Sequence, residues 1–114
     1  CVVVEGAGGW HAPVSGTATM ADLAIALDLP VLLVVGLRLG CLNHALLTCE
    51  SLTTRGVPFA GWIANGVDPR FERPAENLAT LTARLGGPPL ARIPFLEPGL
   101  EAIDLSEAVR RLCA

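Results

Sequence analysis

The sequence predicts an α/β protein built on a doubly wound, mostly parallel sheet, with about four strands alternating with helices. Three observations carry that expectation. Short apolar runs recur at residues 1–4, 31–35, 59–64 and 90–93. They are continuous rather than alternating and rich in Val, Ile and Leu, the pattern of strands covered on both faces. The stretches between them carry helical spacing and cap residues, so strand and helix alternate, which implies parallel strands joined by right-handed crossovers.

Taken in order, the first run ends at Glu5. Thr19 with Asp22 can cap a helix over 20–27, since an acid three residues in also favours the positive end of the helix dipole. The second run ends at Gly36. Pro30, Pro58 and Pro89 stand near the starts of the later runs, where a missing N–H costs little. Leu42, Ala45, Leu46, Cys49 and Leu52 share one helical face over 42–55, and Gly56 offers a left-handed stop. The third run ends at Asn65. Pro74 suits a first helical position, and the helix over 75–85 closes at Gly86-Gly87. The fourth run ends at Pro94, and Asp104 with Glu107 forms a capping box for a last helix through Leu112. No repeat, low-complexity tract or internal linker interrupts the chain.

Composition removes several functions. Eight Arg, no Lys and eleven acids in 114 residues give a net charge of -3, and the pI is near 5.2. A nucleic-acid footprint needs a clustered basic surface, which this balance does not supply. Charged residues are 17% and hydrophobic ones 52%, which excludes a disordered chain. Without lysine, no phosphate-gripping or Schiff-base ammonium can be complete within these residues. The chain opens on Cys1 with an apolar run already under way, and reads as a piece of a longer protein. The mean hydropathy of +0.54 raises the question of a membrane. The strongest run, 29–37, ends at Arg38 and is about half the ~20 residues of a spanning helix. Nor is there a basic leader with an apolar stretch and a cleavage site. Cys1, Cys41, Cys49 and Cys113 form no close pairs, and His11 and His44 do not complete a metal pattern. Buried reduced thiols in a cytoplasmic protein are the expectation.

In doubly wound sheets a ligand lies beyond the carboxyl ends of the strands. The first exit is Glu5-Gly6-Ala7-Gly8-Gly9. A carboxylate there can hold Mg²⁺ while bare backbone admits phosphates, or it is an acid in a solvated glycine turn. The run is neither a dinucleotide fingerprint, because His11 stands in place of the third Gly, nor a Walker A loop, which needs Lys. The second exit runs from Gly36 to Asn43. Open N–H groups at Gly40, Cys41 and Leu42 with the Asn43 amide would make an anion pocket, and an ordinary helix cap is the alternative. Arg38 is an ion pair or a surface cation. At the third exit the Asn65 carboxamide offers a donor beside an acceptor, matching the N6/N7 edge of adenine, or else forms a turn before Gly66. Pro94, Phe95 and Leu96 would give a purine an apolar wall, or a plain turn. Trp10, Trp62, His11 and His44 are assigned to packing or local hydrogen bonds, and Met20 to the core.

Together, Val-Glu-Gly-Ala-Gly-Gly-Trp at 4–10, Leu-Pro-Val-Leu-Leu-Val-Val-Gly at 29–36, Leu-Gly-Cys-Leu-Asn-His-Ala at 39–45, Ala-Gly-Trp-Ile-Ala-Asn at 60–65 and Ile-Pro-Phe-Leu at 93–96 resemble the dethiobiotin synthetase family, in order and over nearly the whole chain. The resemblance implies a P-loop NTPase-like fold, of which residues 1–114 form the carboxy-terminal part of a single domain. It implies biotin biosynthesis: 7,8-diaminononanoate takes up CO₂ as a carbamate, ATP phosphorylates it, and the second amine closes the ureido ring. On matching positions, Glu5 would help hold Mg²⁺, and Gly6, Ala7 and Gly8 would line the nucleotide site. Asn65 and Gly66 would read adenine, Pro94, Phe95 and Leu96 would flank it, and Glu101 would touch the nucleotide. The family is a cytoplasmic homodimer, and Gly40, Cys41, Leu42 and Asn43 would clasp the substrate carboxylate of the partner's site. The family's phosphate loop, its Mg²⁺-binding Thr and its catalytic lysines belong to an amino-terminal half that these residues lack. Two other readings stand beside this one. One is a different P-loop-type ligase or ATPase, such as a cobyrinate-type synthase or a partitioning-type ATPase. The other is a non-catalytic α/β remnant used for association.

Overall fold

The computed structural model describes residues 2–96 and 104–112. Seven elements follow in order: α1 (Met20–Leu27), β1 (Val31–Leu37), α2 (Cys41–Thr54), β2 (Phe59–Gly66), α3 (Pro74–Arg84), β3 (Ala91–Ile93) and α4 (Ser106–Leu112). The strands make one parallel sheet in the order β1-β2-β3. Three of the expected strands therefore form, each later strand following a helix.

The fourth does not. Val2, Val3 and Val4 belong to no strand, and Val2 is 83% and Val3 81% exposed. A strand exists only by pairing its N–H and C=O groups with a neighbour. No described residue pairs with this run, so its apolar pattern is left without a ladder. Cys1 and Cys113 lie outside the described residues.

Two apolar layers hold the sheet. On one face, Leu33, Val35 and Leu37 of β1 and Trp62 and Ala64 of β2 pack against Cys41, Ala45 and Cys49 of α2 and Leu78 and Leu81 of α3. On the other, Ile63, Leu90 and Ala91 meet Ala108 of α4, with Leu32 and Ile93 at the margin. The alternation of Trp62, Ile63 and Ala64 between these layers is the two-residue period of a strand buried on both sides. Over β1 the second layer thins to Leu32, and Val34 is 55% exposed. Trp62 is the largest fully buried side chain, and its Nε1–H donates to the Gly87 carbonyl at 3.0 Å.

The local signals act as read. At α1, the Asp22 carboxylate accepts the Thr19 N–H at 2.7 Å and the Thr19 hydroxyl at 2.8 Å. Gly40 enters α2 at φ 90, a backbone that a side chain would strain. Pro74 opens α3. The last helix differs. Asp104 accepts both the N–H and the hydroxyl of Ser106, whereas Glu107 turns forward to Arg110 at 2.9 Å and Arg111 at 3.1 Å instead of closing a box. Two cations three and four residues on outbid one backbone N–H. Cys41 is buried and Cys49 half-buried, both as free thiols.

Candidate functional site

The strand register aligns the exits. Gly36 pairs with Asn65, and Asn65 with Ile93, so the three carboxyl ends lie in one row. Asn65 is not a turn residue, because β2 continues through Gly66. It is half-buried, and no hydrogen bond engages its carboxamide among the described residues. Gly66 sits directly against the next exit. A Cβ placed on it would lie 2.7 Å from the Phe95 nitrogen and 3.0 Å from the Pro94 carbonyl carbon. The bare backbone of β2 thus brings Asn65 beside Pro94, Phe95 and Leu96, all three exposed. Phe95 is 43% and Leu96 40% exposed, which leaves apolar surface at the strand ends next to a carboxamide. Glu101 lies outside the described residues.

The entry to α2 is only partly the anion pocket expected. The Cys41 N–H is spent on the Arg38 carbonyl at 3.0 Å, and Cys41 is buried. The first-turn N–H groups of Leu42 and Asn43 have no preceding turn to bond, and Gly40 and Asn43 are exposed. The α2 N-terminus has no side-chain cap, and the Asn43 amide, in its first turn, is uncommitted among the described residues. Arg38 is exposed, with no ion pair among the described residues. The His44 ring is exposed too, so the packing role expected for it is not taken up.

Glu5 to Gly9 follow no strand of that row. Without a strand before it, Glu5 is not held at a sheet exit, and it is exposed along with Gly6, Ala7 and Gly8. Gly8 has φ 81 and its absent Cβ would meet Ala12 at 3.0 Å, so the turn needs glycine there. Gly6 abuts Met20, whose Cε would lie 3.0 Å from a Cβ. Beyond the glycines, Trp10 Nε1–H donates to Ser51 Oγ at 3.0 Å, and His11 Nε2 lies 3.1 Å from the same oxygen. One turn on, Arg55 pairs with Asp22 at 2.9 Å. The Thr19 N–H, the Thr19 hydroxyl and the Arg55 guanidinium together hold the Asp22 carboxyl down to about 2 from an ordinary 3.8. Asp104 is lowered by the Ser106 hydroxyl and N–H, and Glu107 by Arg110 and Arg111.

As a Mg²⁺ ligand, Glu5 is a single carboxylate with no competing hydrogen bond, and no cluster of three His, Cys, Asp or Glu forms among the described residues. Mg²⁺ keeps several waters and takes one or two carboxylates with substrate phosphates. Glu5 therefore fits as one ligand of such a set. Ser51 was missed by sequence reasoning, since nothing local marks a helical serine as the partner of a turn about forty residues earlier. No helix among the described residues is long and apolar enough to cross a membrane.

The family profile described as "AAA domain" matches residues 1–101. The chain belongs to the AAA-domain family. Within it, the chain is similar to proteins named ATP-dependent dethiobiotin synthetase BioD. That of Pseudomonas aeruginosa (strain UCBPP-PA14) is 55% identical over 100 residues, 88% of this chain and 44% of that protein. That of Xanthomonas axonopodis pv. citri (strain 306) is 55% identical over 101 residues, 89% of this chain and 45% of that protein. That of Xanthomonas oryzae pv. oryzae (strain PXO99A) is 55% identical over 109 residues, 96% of this chain and 48% of that protein. The resemblance drawn from the motifs is thus borne out. The chain spans about half the length of the curated relatives it matches, and its three parallel strands alternating with helices fit a partial P-loop-like α/β fold.

Proposed function

We propose that this chain is the nucleotide-base and substrate-clasp portion of a dethiobiotin-forming ligase. The reaction joins 7,8-diaminononanoate, CO₂ and ATP, and releases dethiobiotin, ADP and phosphate. One amine of the diamine takes up CO₂ as a carbamate. A carbamate oxygen attacks the γ-phosphoryl group, ADP leaves, and the second amine attacks the activated carbonyl to expel phosphate. Catalysis of this kind is mostly positioning and charge stabilisation at the phosphates. Mg²⁺ would neutralise phosphate charge as it moves, with Glu5 as one of its ligands.

The observation that carries the reading is the row of strand exits, with the Asn65 carboxamide beside the apolar strip of Pro94, Phe95 and Leu96. Asn65 would donate to and accept from the adenine edge while the strip covers the ring. Gly6, Ala7 and Gly8 would lie along the nucleotide. Gly40, Leu42 and Asn43 would hold the substrate carboxylate in a homodimer's neighbouring site, with Cys41 buried beneath them as support. The protein would work in the cytoplasm.

The test uses the complete protein and two variants. Asn65→Ala should raise the KM for ATP by about tenfold, the usual size of a lost bidentate base contact, and leave that for diaminononanoate near wild type. Asn43→Ala should do the reverse. Equal effects of both substitutions on both substrates would undo the assignment.

A further inference from the structure

We propose that Ser51 is a positioning residue that sets the glycine loop Glu5–Gly9 relative to the substrate clasp at the start of α2. The loop has no strand to hold it, and its exposed residues make few contacts of their own. What fixes its exit is a small set of bonds. The Met20 N–H donates to the Ala12 carbonyl at 2.9 Å, and the Ala21 N–H to the Trp10 carbonyl at 2.9 Å. Those tie the turn to α1. Among the described residues, the hydrogen bonds that tie it to α2 come from two side chains, and both end on one atom, the Ser51 Oγ.

The chemistry of that atom suits the task. An indole N–H can only donate, so Ser51 accepts from Trp10, and a hydroxyl has capacity left for the His11 ring whichever way that bond runs. A two-point attachment fixes orientation as well as distance, because Trp10 and His11 are adjacent and their rings stand at 66° to each other. Ser51 lies about 15 Å along the helix axis from Cys41 at 1.5 Å per residue. A packed helix is stiff over that length. The loop proposed to meet phosphate and Mg²⁺ and the helix start proposed to meet a carboxylate therefore share one rigid rod, and Ser51 is the joint.

The inference rests on the functional reading above, and its test separates the two. In the complete protein, Ser51→Ala should raise the KM for Mg·ATP about fivefold while the KM for diaminononanoate stays within about twofold of wild type. Ser51→Thr keeps the hydroxyl and should restore the Mg·ATP value. Arg55→Gln cuts the ion pair between α1 and α2 and should leave the Mg·ATP value unchanged. The indole N–H resonance of Trp10 should move in Ser51→Ala while that of Trp62 stays. An unchanged Mg·ATP KM with a displaced Trp10 resonance would overturn the positioning role alone. So would an equal rise in both KM values, which marks general loosening. A wild-type protein without ATP-dependent ring closure would overturn the functional reading and this inference with it.

Discussion

Replacing Trp62 by Phe should cost the protein about 2 kcal/mol, and the structure says where the loss arises. The ring is 1% exposed in the layer between β2 and the helices α2 and α3. Phe leaves unfilled the space of the second indole ring, roughly 40 Å² of apolar surface, or about 1 kcal/mol at 25 cal/mol per Å². It also removes the 3.0 Å bond from Nε1–H to the Gly87 carbonyl. Gly87 is half-exposed, so water can reach that carbonyl, and the loss stays near the ordinary ~1 kcal/mol of a net hydrogen bond rather than a full desolvation penalty. Equilibrium urea unfolding of the complete protein, followed by far-UV circular dichroism, reads the difference at constant slope. Trp10→Phe is the control. That ring is only half-buried, so it should lose about 1 kcal/mol or less, chiefly its bond to Ser51. Equal losses for the two variants, or none for Trp62→Phe, would refute the claim that this tether and this filled volume hold the sheet to its helices.

Two smaller predictions follow from the helix starts. Asp22 titrates near 2 when folded, against an ordinary 3.8, so its contribution to stability is present above 3.8 and is lost as the pH falls toward 2. Asp22→Asn should flatten acid unfolding inside that window and nowhere above it; an unchanged acid limb would remove Asp22 as its source. Arg73 holds φ 52 at the N-cap of α3 without a side-chain cap. Arg73→Gly should therefore raise stability by about 0.5 kcal/mol, the relief of left-handed strain less the added freedom of the unfolded chain, and a loss in thermal unfolding would contradict it.

What could be read in the sequence was whatever is settled within a few residues. The cap of Thr19 and Asp22, the proline at the start of α3 and the stop at Gly56 depend on neighbours in the chain, and each stands where the pattern put it. The sheet came through for the same reason, since a buried parallel strand carries its signal in its own apolar run. Val2–Val4 carry that signal equally well and form no strand, because pairing is a property of two segments and only one is present among the described residues. Distance in sequence hid the rest. The link from Trp10 and His11 to Ser51 leaves no periodic trace. Competition misled at Glu107, where two arginines stood closer than the backbone it was expected to cap. At Asn65 a turn is the commoner role of an Asn-Gly pair, and the ladder to Gly36 and Ile93 decided for the strand.

The same unpaired surface predicts how the chain behaves by itself. Parallel strands are stable when both faces are covered, yet β1 is an outer strand with Val34 at 55% exposure in its middle. Its free ladder edge lies open to any second strand. Part of the remaining apolar exposure is contiguous: Val2 at 83%, Val3 at 81% and Val4 at 50% follow one another. Single exposed leucines are ordinary, whereas a bare strand edge and an unpaired run of valines are association sites. The 114 residues alone should therefore self-associate at micromolar concentration and neither hydrolyse ATP nor form dethiobiotin, having no lysine for the phosphates. Light scattering and a coupled ADP assay measure both. A monodisperse monomer that melts cooperatively would show that α2, α3 and α4 cover enough of the sheet after all. Turnover by the purified chain would show that arginine and backbone N–H groups suffice where lysine was thought necessary.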